Sequence, residues 1–218
     1  MQLDQFADER RSMVEEQLRA RGIRDEAVLA AMGRVPRHEF VAEEHRWQAY
    51  GDHPVPIGEG QTLSQPYIVA IMLELLSLSG AESVLEVGTG SGYQAAVLAE
   101  LTRQVYSMER HASLARSAED TLVRLGYRNV SVSVGDGSQG LPERAPFDAI
   151  IVAAAAPQIP PALFEQLREG GRMVIPVGPS SAQELHLVSK EEGEAVVTHL
   201  EGCRFVPLVG EQGYTEGW

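Results

Sequence analysis

From Ser83 onward the chain alternates short apolar runs with stretches of helical spacing, and this alternation restricts the fold more than any other property of the sequence. The runs Ser83–Val87, Gln104–Glu109, Val130–Val134, Phe147–Val152 and Arg172–Pro176 have the length and texture of buried strands. Tyr93–Leu101 and Leu114–Leu125 carry apolar residues at helical intervals between them. A strand that feeds a helix returns parallel to itself, so the pattern predicts an α/β fold with a mostly parallel, doubly wound sheet. Two further runs, Glu184–Ser189 and Ala195–Leu200, lie close together with no helix between them. They predict an antiparallel strand pair at the sheet's end, in an order the sequence leaves open. A chain of 218 residues buries a core of this size without disulfides, and the single cysteine, Cys203, permits none internally.

The part before this core, to about Tyr50, reads as a helical addition. Phe6, Met13, Val14 and Leu18 recur at roughly helical spacing, and Gly22 stops them. Asp25 can cap a second helix carrying Ala27, Val28, Ala31 and Met32, with its end marked by Gly33 and Pro36. His53–Gln65 is broken by prolines and glycines and predicts a shaped loop without regular structure. Trp47 and Tyr50 are expected to pack beside it. Pro66 then opens a helix through Ile68, Val69, Met72, Leu73 and Leu76. One domain is expected over residues 1–218: a helical addition (1–52), the loop (53–66) and the α/β core (80–218).

The net charge of −13 argues against a general nucleic-acid binder, because phosphate backbones are held by clustered Lys and Arg. Met1–Arg10 lacks the basic start and apolar stretch of a secretory signal, and no apolar run approaches the length of a membrane span. With one cysteine, these features make the cytoplasm the expected compartment, and a monomer the expected state. The six histidines are scattered, and none is spaced with Cys203 or a near carboxylate like a metal ligand or a nucleophile's base. Neither a metal site nor Cys–His catalysis is expected, and Cys203 reads as a small buried hydrophobe.

The chemistry is concentrated where strands end. Val84-Leu85-Glu86-Val87-Gly88-Thr89-Gly90-Ser91-Gly92-Tyr93 joins the first core strand to its helix, the place where open α/β sheets bind ligands. A dinucleotide fingerprint needs its third glycine one position later than Gly92, and Glu86 would repel a pyrophosphate. The same carboxylate suits a ligand that carries an amino group. Glu109, followed by Arg110, ends the next strand and can accept from ribose hydroxyls. Asp136 and Gly137 end the third, with Asp136 placed to accept from an adenine amine. Each carboxylate alone could be a solvated strand end, but together they outline one elongated ligand. The pattern resembles the first motif of Rossmann-like, S-adenosylmethionine-dependent methyltransferases, so Glu86, Gly88, Thr89, Gly90, Gly92, Glu109, Arg110, Asp136 and Gly137 are the expected cofactor residues.

The stretch Pro54-Val55-Pro56-Ile57-Gly58-Glu59-Gly60-Gln61-Thr62-Leu63-Ser64-Gln65-Pro66 looks like the signature loop of protein-L-isoaspartate O-methyltransferases. The resemblance continues through Glu86–Ala99, Gly135-Asp136-Gly137, Phe147–Val152, Pro157, Gly170–Gly178 and Phe205-Val206-Pro207-Leu208, which is most of the chain. It implies methyl transfer to the free α-carboxyl of L-isoaspartyl residues in damaged peptides and proteins, whose esters collapse to a succinimide that can reopen as aspartate. An α-carboxyl ionises near a pKa of about 3.5, so such a nucleophile needs no strong base, and alignment and water exclusion would carry the catalysis. The resemblance assigns Ser64 to catalysis, and Gln61, Thr62 and Leu63 join it as expected substrate contacts. The plainer role for Ser64 is a helix cap. Ala153 stands where a Thr is common in the family, and the tail Gly210–Trp218 extends past the usual bacterial length.

Two other functions fit parts of this pattern. One is methylation of a small metabolite or an RNA base, although Ala153-Ala154-Ala155-Ala156-Pro157 lacks the Asn/Asp-Pro-Pro-aromatic pattern of adenine and cytosine amino methyltransferases. The other is non-catalytic cofactor binding, against which the intact loop around Ser64 speaks.

Overall fold

A computed structural model describes residues 5–215; Met1–Asp4 and Glu216–Trp218, with the tail's Trp218, lie outside them. Helix α1 (Ala7–Ser12) runs on through a π-helical stretch, Met13–Leu18, and a tight turn, Arg19–Arg21. Gly22, at φ +104°, ends this run in the left-handed conformation that glycine adopts without strain. In α2 (Glu26–Arg34) the Asp25 carboxylate accepts from the Ala27 and Val28 N–H groups, as expected of a cap. The helix continues through Gly33 and ends at Arg34, because Pro36 forces Val35 into an extended conformation.

The expected irregular loop proves to be a ribbon. β1 (Val55–Gly58) pairs antiparallel with β2 (Gln61–Leu63) across Glu59 and Gly60. Both turn residues have positive φ, which matches the twist that a two-residue hairpin demands. A glutamate in the first turn position hides this hairpin from sequence rules that look for Asn-Gly or Asp-Gly. Helix α3 (Pro66–Leu76) follows, opened by its proline.

The core elements are β3 (Ser83–Val87), α4 (Tyr93–Leu101), β4 (Gln104–Glu109), α5 (Ala112–Arg124), β5 (Val130–Val134), β6 (Phe147–Val152), α6 (Pro161–Gln166), β7 (Leu167–Val177), β8 (Gln183–Glu191) and β9 (Glu194–Cys203). They form a seven-stranded sheet in the order β5-β4-β3-β6-β7-β8-β9. Strands β3 to β7 are parallel, and β8 and β9 add an antiparallel hairpin at the edge, which settles the order left open by sequence. β7 begins earlier than its apolar run because Leu167 pairs with Phe147 before an irregularity at Gly170-Gly171. Successive side chains on β3 point to opposite faces. Val84 joins a core with α2, α3 and α4, and Leu85 and Val87 join a second core with Phe147, Leu163 and Ile175. Among the described residues no helix is long and apolar enough to cross a membrane.

Candidate active site

The carboxyl ends of β3, β4 and β6 meet at the glycine turn. Gly88, Gly90 and Gly92 have φ of +95°, +54° and +88°, so the backbone can fold back over the strand ends. The N–H groups of Gly88 and Thr89 both donate to the Met108 carbonyl on β4, at 2.8 and 3.2 Å. This fixes the turn above the neighbouring strand. Thr89 Oγ1 shares a 2.6 Å hydrogen bond with Ser107 Oγ, which in turn donates to Glu86 Oε2.

Glu86 is fully buried on the same face of β3 as Val84, beneath the turn and not on the cavity wall. Burial pushes its carboxyl up to about 8, with the Ser107 hydroxyl pulling down and the charge of Glu109 adding to the push. The Gln94 amide nitrogen lies near Glu86 Oε1 and also pulls the value down, but neither atom makes a well-formed hydrogen bond. Glu109, almost fully buried, anchors the turn from β4: Oε2 accepts from Gly90 N and Oε1 from His111 N, each at 2.9 Å. Both oxygens keep a further lone pair for a ligand.

A cavity lies over these groups. Its wall includes Gly88, Thr89, Gly90, Glu109, Arg110 and Gly137 of the expected cofactor residues, and Gln61, Thr62, Leu63 and Ser64 of the expected substrate contacts. A Cβ at Gly137 would lie 2.5 Å from Val87 Cγ1, so glycine is needed for that close approach.

Besides Glu86, two expected cofactor contacts lie off this wall. Gly92 turns its Cα toward Ala118 and Leu122 of α5, so it serves helix packing. Asp136 opens onto a neighbouring cleft, and its acceptor positions are already used. Oδ1 takes the N–H and hydroxyl of Ser138, and Oδ2 takes the Glu211 N–H and the Gln139 amide. In this structure the Asp136 carboxylate thus holds the C-terminal segment.

That segment roofs the cavity. Ala155 N donates to Val206 O and Leu208 N to Ala155 O, so residues 206–208 lie alongside the end of β6. Val206, Pro207, Leu208 and Val209 complete the wall with Met108, Gln94 and Ala154. Sequence spacing did not single these out as contacts. Gln94 alone carries a signal, one turn into the helix that follows the glycines.

A second groove adjoins the first and shares Thr62, Ser64, Ala153, Val206 and Pro207 with it. Its far wall is Ser180–Gln183 and Gly202–Phe205. Ser64 therefore stands at the junction. It is not the cap of α3: that place falls on Gln65, whose side chain makes no capping bond. The fully buried Arg37 guanidinium donates to the Ser64 carbonyl at 2.6 Å and to the Ala49 carbonyl at 2.6 Å, and it lies 4.8 Å from the centre of the Tyr93 ring.

Tyr50 packs in the core, as expected, but Trp47 is 79% exposed and lines neither cavity. Cys203 is half-buried on the groove wall, and burial, with Glu201 and Glu184 nearby, pushes its thiol up to about 11, which keeps it a poor nucleophile. The histidines scattered in sequence are not all scattered in space, because His186 and His199 meet Glu184 on the sheet edge.

Residues 8–213 match the family described as Protein-L-isoaspartate(D-aspartate) O-methyltransferase (PCMT). A protein-L-isoaspartate O-methyltransferase of Koribacter versatilis is 59% identical over 210 residues, which cover 96% of this chain and 95% of that one. The protein of the same name from Methanoculleus marisnigri is 53% identical, covering 98% and 97%. A solved protein-L-isoaspartate O-methyltransferase superposes with a TM-score of 0.85 at 31% identity, over 94% of this chain and 67% of that one. A Plasmodium falciparum relative, solved in complex with S-adenosyl-L-homocysteine, gives a TM-score of 0.79 at 28% identity over 90% and 96%. Turn, loop and roof thus come together in a sequence matched along nearly its whole length, and the chain belongs to the protein-L-isoaspartate(D-aspartate) O-methyltransferase family.

Proposed function

We infer that the chain transfers the methyl group of S-adenosylmethionine to the free α-carboxyl of L-isoaspartyl residues in damaged peptides and proteins, which begins their repair through a succinimide. The observation that carries this reading is the junction of two cavities at Ser64: a narrow one over the glycine turn and a wider groove beside it.

The residues present fit the cofactor. Glu86 Oε1 and the Gln94 amide nitrogen are buried with only each other nearby and no well-formed hydrogen bond, and Gln94 lines the cavity, so an amino-acid head group there would give it a better partner. Glu109 has lone pairs left for ribose hydroxyls, and Gly88, Thr89, Gly90, Arg110 and Gly137 supply the surrounding wall. When bound, the cofactor supplies an electrophilic methyl group. The protein's own contribution is to hold the substrate carboxylate in line with it and to exclude water. Ser64 Oγ donates to that carboxylate, next to the free N–H groups at the start of α3. Gln61, Thr62 and Leu63 present the edge of β2 to the peptide backbone. Val206 to Val209 close the reacting centre from solvent.

Isoaspartyl-bearing proteins are the partners in this reading. The net charge of −13 supports a monomer that acts on polypeptides and not on nucleic acid, and the single cysteine fits a cytoplasmic location.

The direct test is incubation with methyl-labelled S-adenosylmethionine and a short L-isoaspartyl peptide, with the L-aspartyl peptide as control. Both carboxylates are ionised, so only geometry separates them. Base-labile label on the isoaspartyl peptide alone is expected. Equal labelling of both, or cofactor binding with no transfer, would overturn the assignment.

A further inference from the structure

At the edge of the sheet, on the β8–β9 hairpin, three side chains with metal-binding atoms converge. Glu184 and His186 are two residues apart on β8 and so share a face. His199 on β9 is the direct cross-strand partner of His186. The partners of Glu184 and His186 on β9 are Gly202 and His199, so β9 carries one extra residue across this step. Such a bulge increases the local twist and re-aims side chains. Here it accompanies the approach of His199 to the carboxylate of Glu184.

The geometry is close to that of a coordination site. Glu184 Oε2 lies 3.1 Å from His199 Nδ1 and 3.9 Å from His186 Nε2. The three donor atoms fall within 4.8 Å of one another, and the imidazole rings are 4.2 Å apart at 56°. Ligand atoms around a tetrahedral zinc ion, with bonds of about 2.0–2.1 Å, are roughly 3.4 Å apart. Small side-chain shifts would therefore close the set. His186 is 8% exposed, and its Nδ1 is buried without a hydrogen-bond partner. The Nε2 of the same ring faces Glu184 at 3.9 Å, beyond hydrogen-bonding distance, and a shared cation would engage it together with the other two side chains.

We propose that Glu184, His186 and His199 form a binding site for a divalent transition-metal ion of the zinc class. Two imidazoles and one carboxylate favour such an ion over magnesium or calcium, which prefer all-oxygen sets. Three protein ligands leave the remaining coordination to solvent. Gln183, next to Glu184, pairs with Cys203, and both line the open groove, so a bound ion would clamp the two strand ends that form its wall.

The test is calorimetric titration of untagged, chelator-treated protein with Zn²⁺, repeated in excess Mg²⁺, together with the visible absorption of Co²⁺. Glu184 and His199 are exposed, so Glu184→Gln and His199→Ala should fold normally, which metal-free melting curves and unchanged metal-free methyl transfer would verify. One Zn²⁺ per chain is expected, indifferent to Mg²⁺ and at least tenfold weaker in each variant. Absence of stoichiometric Zn²⁺, or an affinity that either variant retains, would overturn the site.

Discussion

The guanidinium of Arg37 donates a 2.6 Å hydrogen bond to the carbonyl of Ser64, so a buried cation in the N-terminal addition holds the backbone of the residue where the two cavities meet. Burial lowers the Arg37 pKa to about 10, with Tyr93 and Tyr50 opposing, and the group stays charged at neutral pH. Arg37→Met would leave the Ala49 and Ser64 carbonyls without their donor, at about 1–3 kcal/mol for each carbonyl left buried and unpaired. The expected result is a lower melting temperature and a KM for isoaspartyl peptide raised about tenfold, with cofactor affinity kept. Arg37→Lys should recover part of the KM. If apparent peptide affinity and cofactor affinity fall together in both variants, Arg37 serves only general folding.

Ser64→Ala removes one donor to an ionised carboxylate. A hydrogen bond to a charged group contributes about 1.5–3 kcal/mol, which corresponds to roughly a tenfold to hundredfold loss in kcat/KM. Calorimetric binding of S-adenosylhomocysteine should be unaltered, since the hydroxyl does not cap α3. Full activity of this variant would remove Ser64 from the mechanism.

Glu86 makes stability depend on pH. Its folded value is about 8 against an ordinary 4.5, so between these limits the folded protein holds a proton that the unfolded chain has lost. Stability contributed by the protonated group is therefore full in acid and declines as the pH rises through this window. Glu86→Gln stays neutral, so without cofactor its melting temperature should fall less than the parent's from about pH 5 to pH 8. Parallel curves would mean that Glu86 is already ionised in the fold.

Asp136 behaves in the opposite sense. Burial pushes its carboxyl up, but the Glu211 N–H, the Ser138 hydroxyl and N–H, and Gln139 outweigh it and hold the group below its ordinary range. The resulting stability is present above the ordinary aspartate range and is lost as the pH falls through the lowered value. Asp136→Ala should speed amide exchange over Val209–Tyr214 and raise KM for both cofactor and peptide, because this segment roofs the cavity. Unchanged exchange there would show that the Leu208–Tyr214 and Tyr214–Gly178 hydrogen bonds suffice to hold it.

Four of the core strands and α4 were legible to the residue, because buried strands and helices are written as local apolar periods with glycine or proline at their ends. β7 was read short, since Gly170-Gly171 looks like a break and becomes a strand irregularity only once Phe147 and Leu167 pair. The β1–β2 ribbon was missed for a related reason: Glu59-Gly60 is a poor local turn signal, and the pairing of Val55 with Leu63 supplies what the turn lacks.

The site divides along the same line. Sequence alone determined that Gly88, Gly90 and Glu109 lie at strand ends, where the structure has a cavity, and that Ser64 precedes a helix, since strand-helix order and turn chemistry are local properties. Only the tertiary structure decided that Asp136 is spent on the C-terminal segment, that Arg37 reaches Ser64 from 27 positions away, and that His186, His199 and Glu184 share one face. Those relations depend on which segments the packed core brings within hydrogen-bonding distance, and a periodic pattern carries no record of its distant partners.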